Sequence, residues 1–214
     1  MRRVLYIVLP ILGLIFFLSS YIFSGKTGEK GLYEEIRNGD VIFQTSQSGQ
    51  SKAIQLATKS KYSHVGIIYL YDKKYFVFEA VQPVKLTPLD EWILRGDNGH
   101  YVVKRLLNAD SILTDSVMEK MKELGELYMG KPYDIYFEWS DERIYCSELV
   151  WKIYKKGAGV EVGKIEKLSD FDLSNELVKE KIKERYGNNI PLNEKVISPA
   201  SIFNSDNLVT VVSN

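Results

Sequence analysis

The alternation of apolar and polar positions divides the chain into a long apolar start, a β-rich middle and a more helical second half. Val41-Ile42-Phe43 follows the turn signal Asn38-Gly39-Asp40 and predicts a short buried strand, with a polar loop over 44–50. Ile54, Ala57 and Thr58 stand at helical spacing and predict a short helix over 51–59. The runs 62–71 (YSHVGIIYLY) and 74–81 (KYFVFEAV) flank Asp72-Lys73 and form the clearest hairpin pattern in the chain. Pro83 and Pro88 bracket another extended piece. Residues 89–94 read as one or two helical turns, 96–99 (GDNG) as a turn, and 100–107 as a further strand. Val117, Met121, Leu124 and Tyr128 recur every three or four residues and predict a helix over 114–129, ended by Gly130 and Pro132. Another helix begins near Tyr145 and stops before Gly157. A third, 174–186, is capped by Ser174 and is so charged that it reads as a solvated face. Residues 208–212 close the chain as a strand. Strands gather between 40 and 107 and helices after 114, so the fold class is α+β with an antiparallel sheet.

The apolar start changes the picture of where the chain works. Arg2 and Arg3 precede 4–23, twenty residues without a charge. Basic residues before such a run mark a signal peptide or a membrane anchor, and a bilayer span takes about 20 apolar residues. The small residues Ser19, Ser20, Ser24 and Gly25 make a poor cleavage site, and no Cys follows for lipoprotein processing. Residues 1–24 therefore read as an uncleaved anchor in preference to a cleaved signal. The two arginines then stay in the cytoplasm and the domain lies outside, in the cell envelope, or is exported if 1–24 are cleaved. Residues 25–31 (GKTGEKG) read as a polar linker and 32–214 as one globular domain.

Composition narrows the partners. In 214 residues, 28 Lys+Arg balance 28 Asp+Glu, without the basic surplus of a nucleic-acid binder. Apolar residues make up 45%, enough for one ordinary core. One Cys rules out an internal disulfide. Two His and one Cys, widely spaced, give no zinc pattern. GxGxxG and Walker sequences are absent, so neither a metal nor a nucleotide cofactor is expected.

The single cysteine is the candidate for chemistry. Cys146, Leu149, Val150, Ile153 and Tyr154 share one helix face, which puts the thiol in the first turn, facing whatever the helix packs on. A buried structural Cys would fit that position. So would a nucleophile, because backbone amides at a helix N-terminus lower a thiol pKa. In the hairpin, symmetric pairing about Asp72-Lys73 sets Tyr71 opposite Lys74 and Gly66 opposite Glu79. Glu79 then becomes a diagonal neighbour of His64 on one sheet face. Glu79 lies in an apolar run where an unpaired charge is costly, and a carboxylate there can hold one imidazole nitrogen and leave the other for the thiol. His100 has no comparable partner.

Five motifs in this order resemble the YiiX-like proteins: 38–44 (NGDVIFQ), 63–67 (SHVGI), 78–80 (FEA), 130–134 (GKPYD) and 145–149 (YCSEL). These proteins are circularly permuted relatives of the NlpC-type papain-like cysteine peptidases and amidases, and the lecithin–retinol acyltransferase group shares their layout. The resemblance covers roughly residues 37–155, with Ser198-Pro199-Ala200 and the last strand similar to the family's closing segment. It implies a permuted papain-like fold, with an antiparallel sheet or half-barrel against helices. It also implies Cys146 as nucleophile, His64 as general base and Glu79 as the group orienting His64. The chain order His, Glu, Cys is no obstacle, since such triads are defined by geometry. For the oxyanion, the backbone N–H of Cys146 is one candidate donor, and the side chains of Gln44 and Tyr133 are others. Asp134 equally fits a loop cap.

Three functions follow as expectations. The first is an envelope cysteine hydrolase, an amidase or peptidase acting through an acyl-enzyme, with murein peptides as one substrate class. The second is a lipid or lipoprotein acyl hydrolase or transferase of the same fold. The third is an envelope binding protein without turnover. An apolar groove beside Cys146 favours lipid, and a short polar pocket favours peptide.

Overall fold

The computed structural model describes residues 26–214, with side chains from 31 onward. The apolar run 4–23, and with it the anchor or signal expectation, lies outside the described residues. Among those described, no helix is long and apolar enough to cross a membrane. The described residues divide into two units, one ending at Ile36 and the other running Arg37–Asn214. In the first, helix α1 spans Lys26–Glu35, so the chain is already helical over most of the stretch expected to be a linker. Lys and Glu are good helix formers and here outweigh the glycines.

The second unit is built on one open antiparallel sheet. Its strands are β1 (Val41–Ser46), β2 (His64–Tyr71), β3 (Lys74–Glu79), β4 (Lys85–Pro88), β5 (Gly96–Leu106) and, after a two-stranded ribbon of β6 (Glu166–Lys167) and β7 (Lys195–Val196), β8 (Leu208–Ser213). The order across the sheet is β4-β3-β2-β1-β5-β8, and every neighbouring pair is antiparallel. The hairpin register is the predicted one, from Tyr71↔Lys74 to Ile67↔Phe78. Asp72 and Lys73 both have left-handed φ, 46° and 64°, as a two-residue type I′ turn requires. That turn matches the strand twist and locks the pairing.

Seven further helices accompany the sheet: α2 (Ser51–Thr58), α3 (Leu89–Leu94), α4 (Ala109–Ile112), α5 (Asp115–Glu126), α6 (Cys146–Ile153), α7 (Glu176–Tyr186) and α8 (Pro199–Phe203). Helix α6 packs on β2 and β3. All five residues of its predicted face are buried, as are Ser147, Glu148 and Lys152. The core joins this face to Phe43, Val65, Ile67 and Phe78 of the sheet and Met121 of α5.

Several local expectations differ from the structure. β1 continues to Ser46, because its polar residues 44–46 still pair with β2 and β5. Residues 96–99 begin β5, with Asn98 and Gly99 at positive φ within the strand. Gly157 does not end the α6 helix, which continues through a π-turn over Tyr154–Ala158 and stops at Gly159, φ 74°. A Cβ on Gly157 would lie 2.5 Å from Met121 Cγ, so this glycine serves the close approach of α5. Helix α7 is capped by Asn175, whose side chain accepts from the Leu177 N–H, and not by Ser174.

Candidate active site

Cys146 is the first residue of α6 and is 3% exposed. Two bonds fix the helix start: the Ser147 hydroxyl donates to Ile197 O at 2.7 Å, and the Tyr145 hydroxyl accepts from Ile197 N at 3.1 Å. His64 opens β2, directly beside Gln44 of β1. Glu79 ends β3. The strand register that places these residues diagonally brings His64 Nε2 to 2.6 Å from Glu79 Oε2. Nε2 is thus committed, and Nδ1 is left for the Cys146 thiol, whose interaction with His64 shifts both groups.

Glu79 is completely buried, and its two oxygens are saturated. Oε2 also accepts from Trp92 Nε1 at 2.9 Å, while Oε1 accepts from Thr87 Oγ1 at 2.5 Å and from the Arg95 guanidinium. Trp92 stacks beside the imidazole, with ring centroids 5.9 Å apart. Burial pushes the Glu79 carboxyl up, but the bond and charge of His64, with Thr87 and Arg95, outweigh it and hold the group at about 2. Burial pushes His64 down, and its bonds to Cys146 and Glu79 more than reverse this, raising it to about 9. For Cys146, burial again opposes charge. The His64 bond and charge, aided by the Val65 and Ser147 backbone N–H groups, win and lower the thiol. Those directions describe a thiolate–imidazolium pair backed by a carboxylate.

Tyr133 and Gln44 stand differently. The Tyr133 hydroxyl lies on the same cleft as the Cys146 sulfur and accepts from Gln50 Nε2 at 3.0 Å. Burial and the neighbouring sulfur hold the phenol well above its ordinary value, so it keeps its proton. Gln44 is buried beside His64, and its Oε1 has no protein partner. Asp134 is the loop cap: Oδ1 accepts from Tyr136 N at 2.9 Å and Oδ2 from Glu138 N at 2.6 Å.

Two clefts meet here, and Gln50 and Tyr133 line both. One, about 740 Å³, reaches Cys146 between α2 and α7 and is walled by Ala53, Ile54, Leu173, Val178 and Ile182. The other, about 1470 Å³, opens on the His64 side and carries Gln44, Gln47, Gln82 and Arg95. Sequence patterns do not point to Gln50, Arg185 or the Thr87–Trp92–Arg95 set around Glu79. The one available signal was Trp92 and Arg95, one helical turn apart beside a strand bearing a buried acid.

The chain matches, over residues 35–212, a family described as permuted papain-like amidase enzyme, YaeF/YiiX, C92 family. It is 51% identical over 175 residues to YiiX of Escherichia coli (strain K12), covering 82% of this chain and 85% of that one. It also resembles the crystal structure of YiiX from Escherichia coli O157:H7, described as a metalloprotein, with TM-score 0.80 and 52% identity. That likeness covers 84% of this chain and 98% of the other. Among the described residues, no group of three or more His, Cys, Asp or Glu side chains is placed to hold a metal ion. Glu79 already accepts four donors, which leaves neither of its oxygens open to a metal. These residues do not fit a metal centre.

Proposed function

The chain belongs to the permuted papain-like amidase family and is a cysteine amidase or peptidase; from that premise we propose that it hydrolyses an amide or ester whose acyl side is apolar, through Cys146, His64 and Glu79. The observation that carries this reading is the apolar cleft that ends on Cys146.

Cys146 Sγ attacks the carbonyl carbon, and the oxygen takes the displaced electron pair. The Tyr133 O–H and the Cys146 N–H stabilise that oxyanion. When the carbonyl reforms, the bond to the leaving group breaks and the His64 imidazolium supplies its proton. The same ring, now neutral, takes a proton from water as the hydroxide attacks the thioester. The acid is released and the thiolate returns. Glu79 keeps Nε2 protonated throughout, so that Nδ1 faces the sulfur. The polar cleft, with Gln44, Gln47 and Gln82, suits the leaving group. It also supports a second reading, in which a peptide binds along that side. The uncharged run 4–23 after Arg2 and Arg3 supports a place in the cell envelope, with an envelope peptide or acyl compound as substrate.

A series of acyl p-nitroanilides from two to ten carbons tests the substrate class. Each buried CH₂ is worth about 0.8 kcal/mol, so kcat/KM should rise roughly fourfold per carbon until the cleft is filled. A flat series, with a short polar peptide amide as the better substrate, would move the assignment to peptides. Iodoacetamide labelling that is slow in the wild type and unchanged by His64→Ala would remove the activated thiolate altogether.

A further inference from the structure

The Tyr133 hydroxyl has one proton and two neighbours that set its direction, the Gln50 amide and the Cys146 sulfur. Its oxygen accepts from Gln50 Nε2 at 3.0 Å, so the proton is free to turn toward the Cys146 sulfur, which lines the same cleft. That arrangement depends on which end of the Gln50 amide faces the phenol. Reversed, the amide would offer its carbonyl oxygen, take the phenol proton, and leave a lone pair pointing at the thiolate. In this structure the amide cannot reverse without loss, because Arg185 Nη2 donates to Gln50 Oε1 at 2.6 Å. A guanidinium is always a donor and never an acceptor, so only the oxygen can face it.

Arg185 is itself held. It lies on α7, its guanidinium sits 4.8 Å from the centre of the Phe137 ring, and the neighbouring Tyr186 hydroxyl bonds Tyr136 O. Gln50 is the residue before α2. The three links therefore cross from α7, over the meeting point of the two clefts, to the sulfur.

We propose that Arg185 and Gln50 are positioning residues for the hydrolysis: Arg185 sets the Gln50 amide, the amide sets the Tyr133 O–H, and the O–H is thereby aimed at the thiolate and then at the oxyanion. The inference rests on the cysteine-hydrolase reading for its consequences, but not for its geometry. No bond is made or broken at either residue.

The test is the rate of iodoacetamide alkylation of Cys146 against pH, which needs no substrate, together with kcat and KM on p-nitrophenyl octanoate. Arg185→Ala and Gln50→Glu should each shift the alkylation profile to higher pH. They should lower kcat by about tenfold or more, within the range for losing an oxyanion donor, and leave KM within about twofold. Gln50→Glu retains the partner for Arg185 but presents Tyr133 with acceptors only, which separates aim from folding. Arg185→Lys keeps a donor and should recover most of the loss. Tyr133→Phe should reproduce the loss, and adding Arg185→Ala to it should cost little more. A wild-type profile in Gln50→Glu, or losses from Tyr133→Phe and Arg185→Ala that multiply, would overturn the relay. Absence of ester turnover in the wild type, with the alkylation shifts intact, would instead count against the hydrolase assignment alone.

Discussion

Replacing Glu79 with Gln keeps the shape of the side chain and changes what its four neighbours meet. The carboxylate accepts from His64 and Trp92 on one oxygen and from Thr87 and Arg95 on the other. An amide has one acceptor and one donor end. Arg95 can only donate, so the amide oxygen must face Arg95 and Thr87, and its NH₂ must face His64 and Trp92. His64 can meet an NH₂ only by giving up the proton on Nε2, which moves its remaining proton to Nδ1, against the sulfur. The ring is then neutral, its free lone pair points away from the thiol, and Trp92 Nε1 loses its acceptor. The analogous amide swap in a Ser–His–Asp triad traps the wrong tautomer and costs about 10⁴ in kcat. A loss of about 10³–10⁴ is expected here.

The same substitution has a stability cost whose sign is fixed. The Glu79 carboxyl is depressed from 4.5 to about 2 in the folded chain. A depressed acid stabilises the fold above its unfolded value, and that stability is lost as pH falls through about 2. At neutral pH, the gap corresponds to about 3 kcal/mol at 1.36 kcal/mol per pKa unit, undiminished by solvent because the group is fully buried. For a domain of this size, that lowers Tm by about 6–12 °C. Calorimetry at pH 7 reads the stability, and iodoacetamide alkylation between pH 5 and 10 reads the thiolate. Glu79→Gln should move the thiolate onset upward at the same time as Tm falls. A variant that melts early but alkylates with the wild-type profile would refute the claim that Glu79 acts on the sulfur through His64.

The pH dependence of kcat/KM should be bell-shaped. Its alkaline limb reports the loss of the His64 proton near 9, and its acid limb reports the Cys146 thiol below its ordinary range; an alkaline limb near 6.5 would contradict the ion pair. Gly157→Ala drives a methyl to 2.5 Å from Met121 Cγ and should cost about 1–3 kcal/mol in urea unfolding, with the alkylation rate of the refolded protein unchanged.

How much of this was legible in the sequence depends on the range of the interaction. The hairpin register followed from a two-residue turn and a period of two, both local, and it brought His64 and Glu79 together without tertiary information. The α6 face followed from helical periodicity for the same reason. Gln50 and Arg185 are 135 residues apart, on elements that pack only in the finished fold, and neither stands in a pattern that singles it out. Gly157 looked like a stop because glycine usually is one at a helix end. Here its missing side chain is used for packing instead.

Helix α7 shows why a charged segment can still carry a site. Its predicted solvated face is present: Lys179 pairs with Glu176 and Lys181 with Glu184 at the surface. Only Val178 and Ile182 are buried, one turn apart, against Ala53 of α2. So narrow a stripe contributes little to the hydrophobic pattern of eleven residues, and it cannot by itself fix the helix against the domain. The position of α7 depends instead on its last turn, where Arg185 reaches Gln50 and Tyr186 reaches Tyr136. Arg185, Tyr186 and Gln50 also line the apolar cleft that reaches Cys146. Losing the Arg185 contact should therefore mis-aim the Tyr133 proton, and Gln50→Glu should do the same while the contact to Arg185 survives and the hydrogen-bond direction reverses.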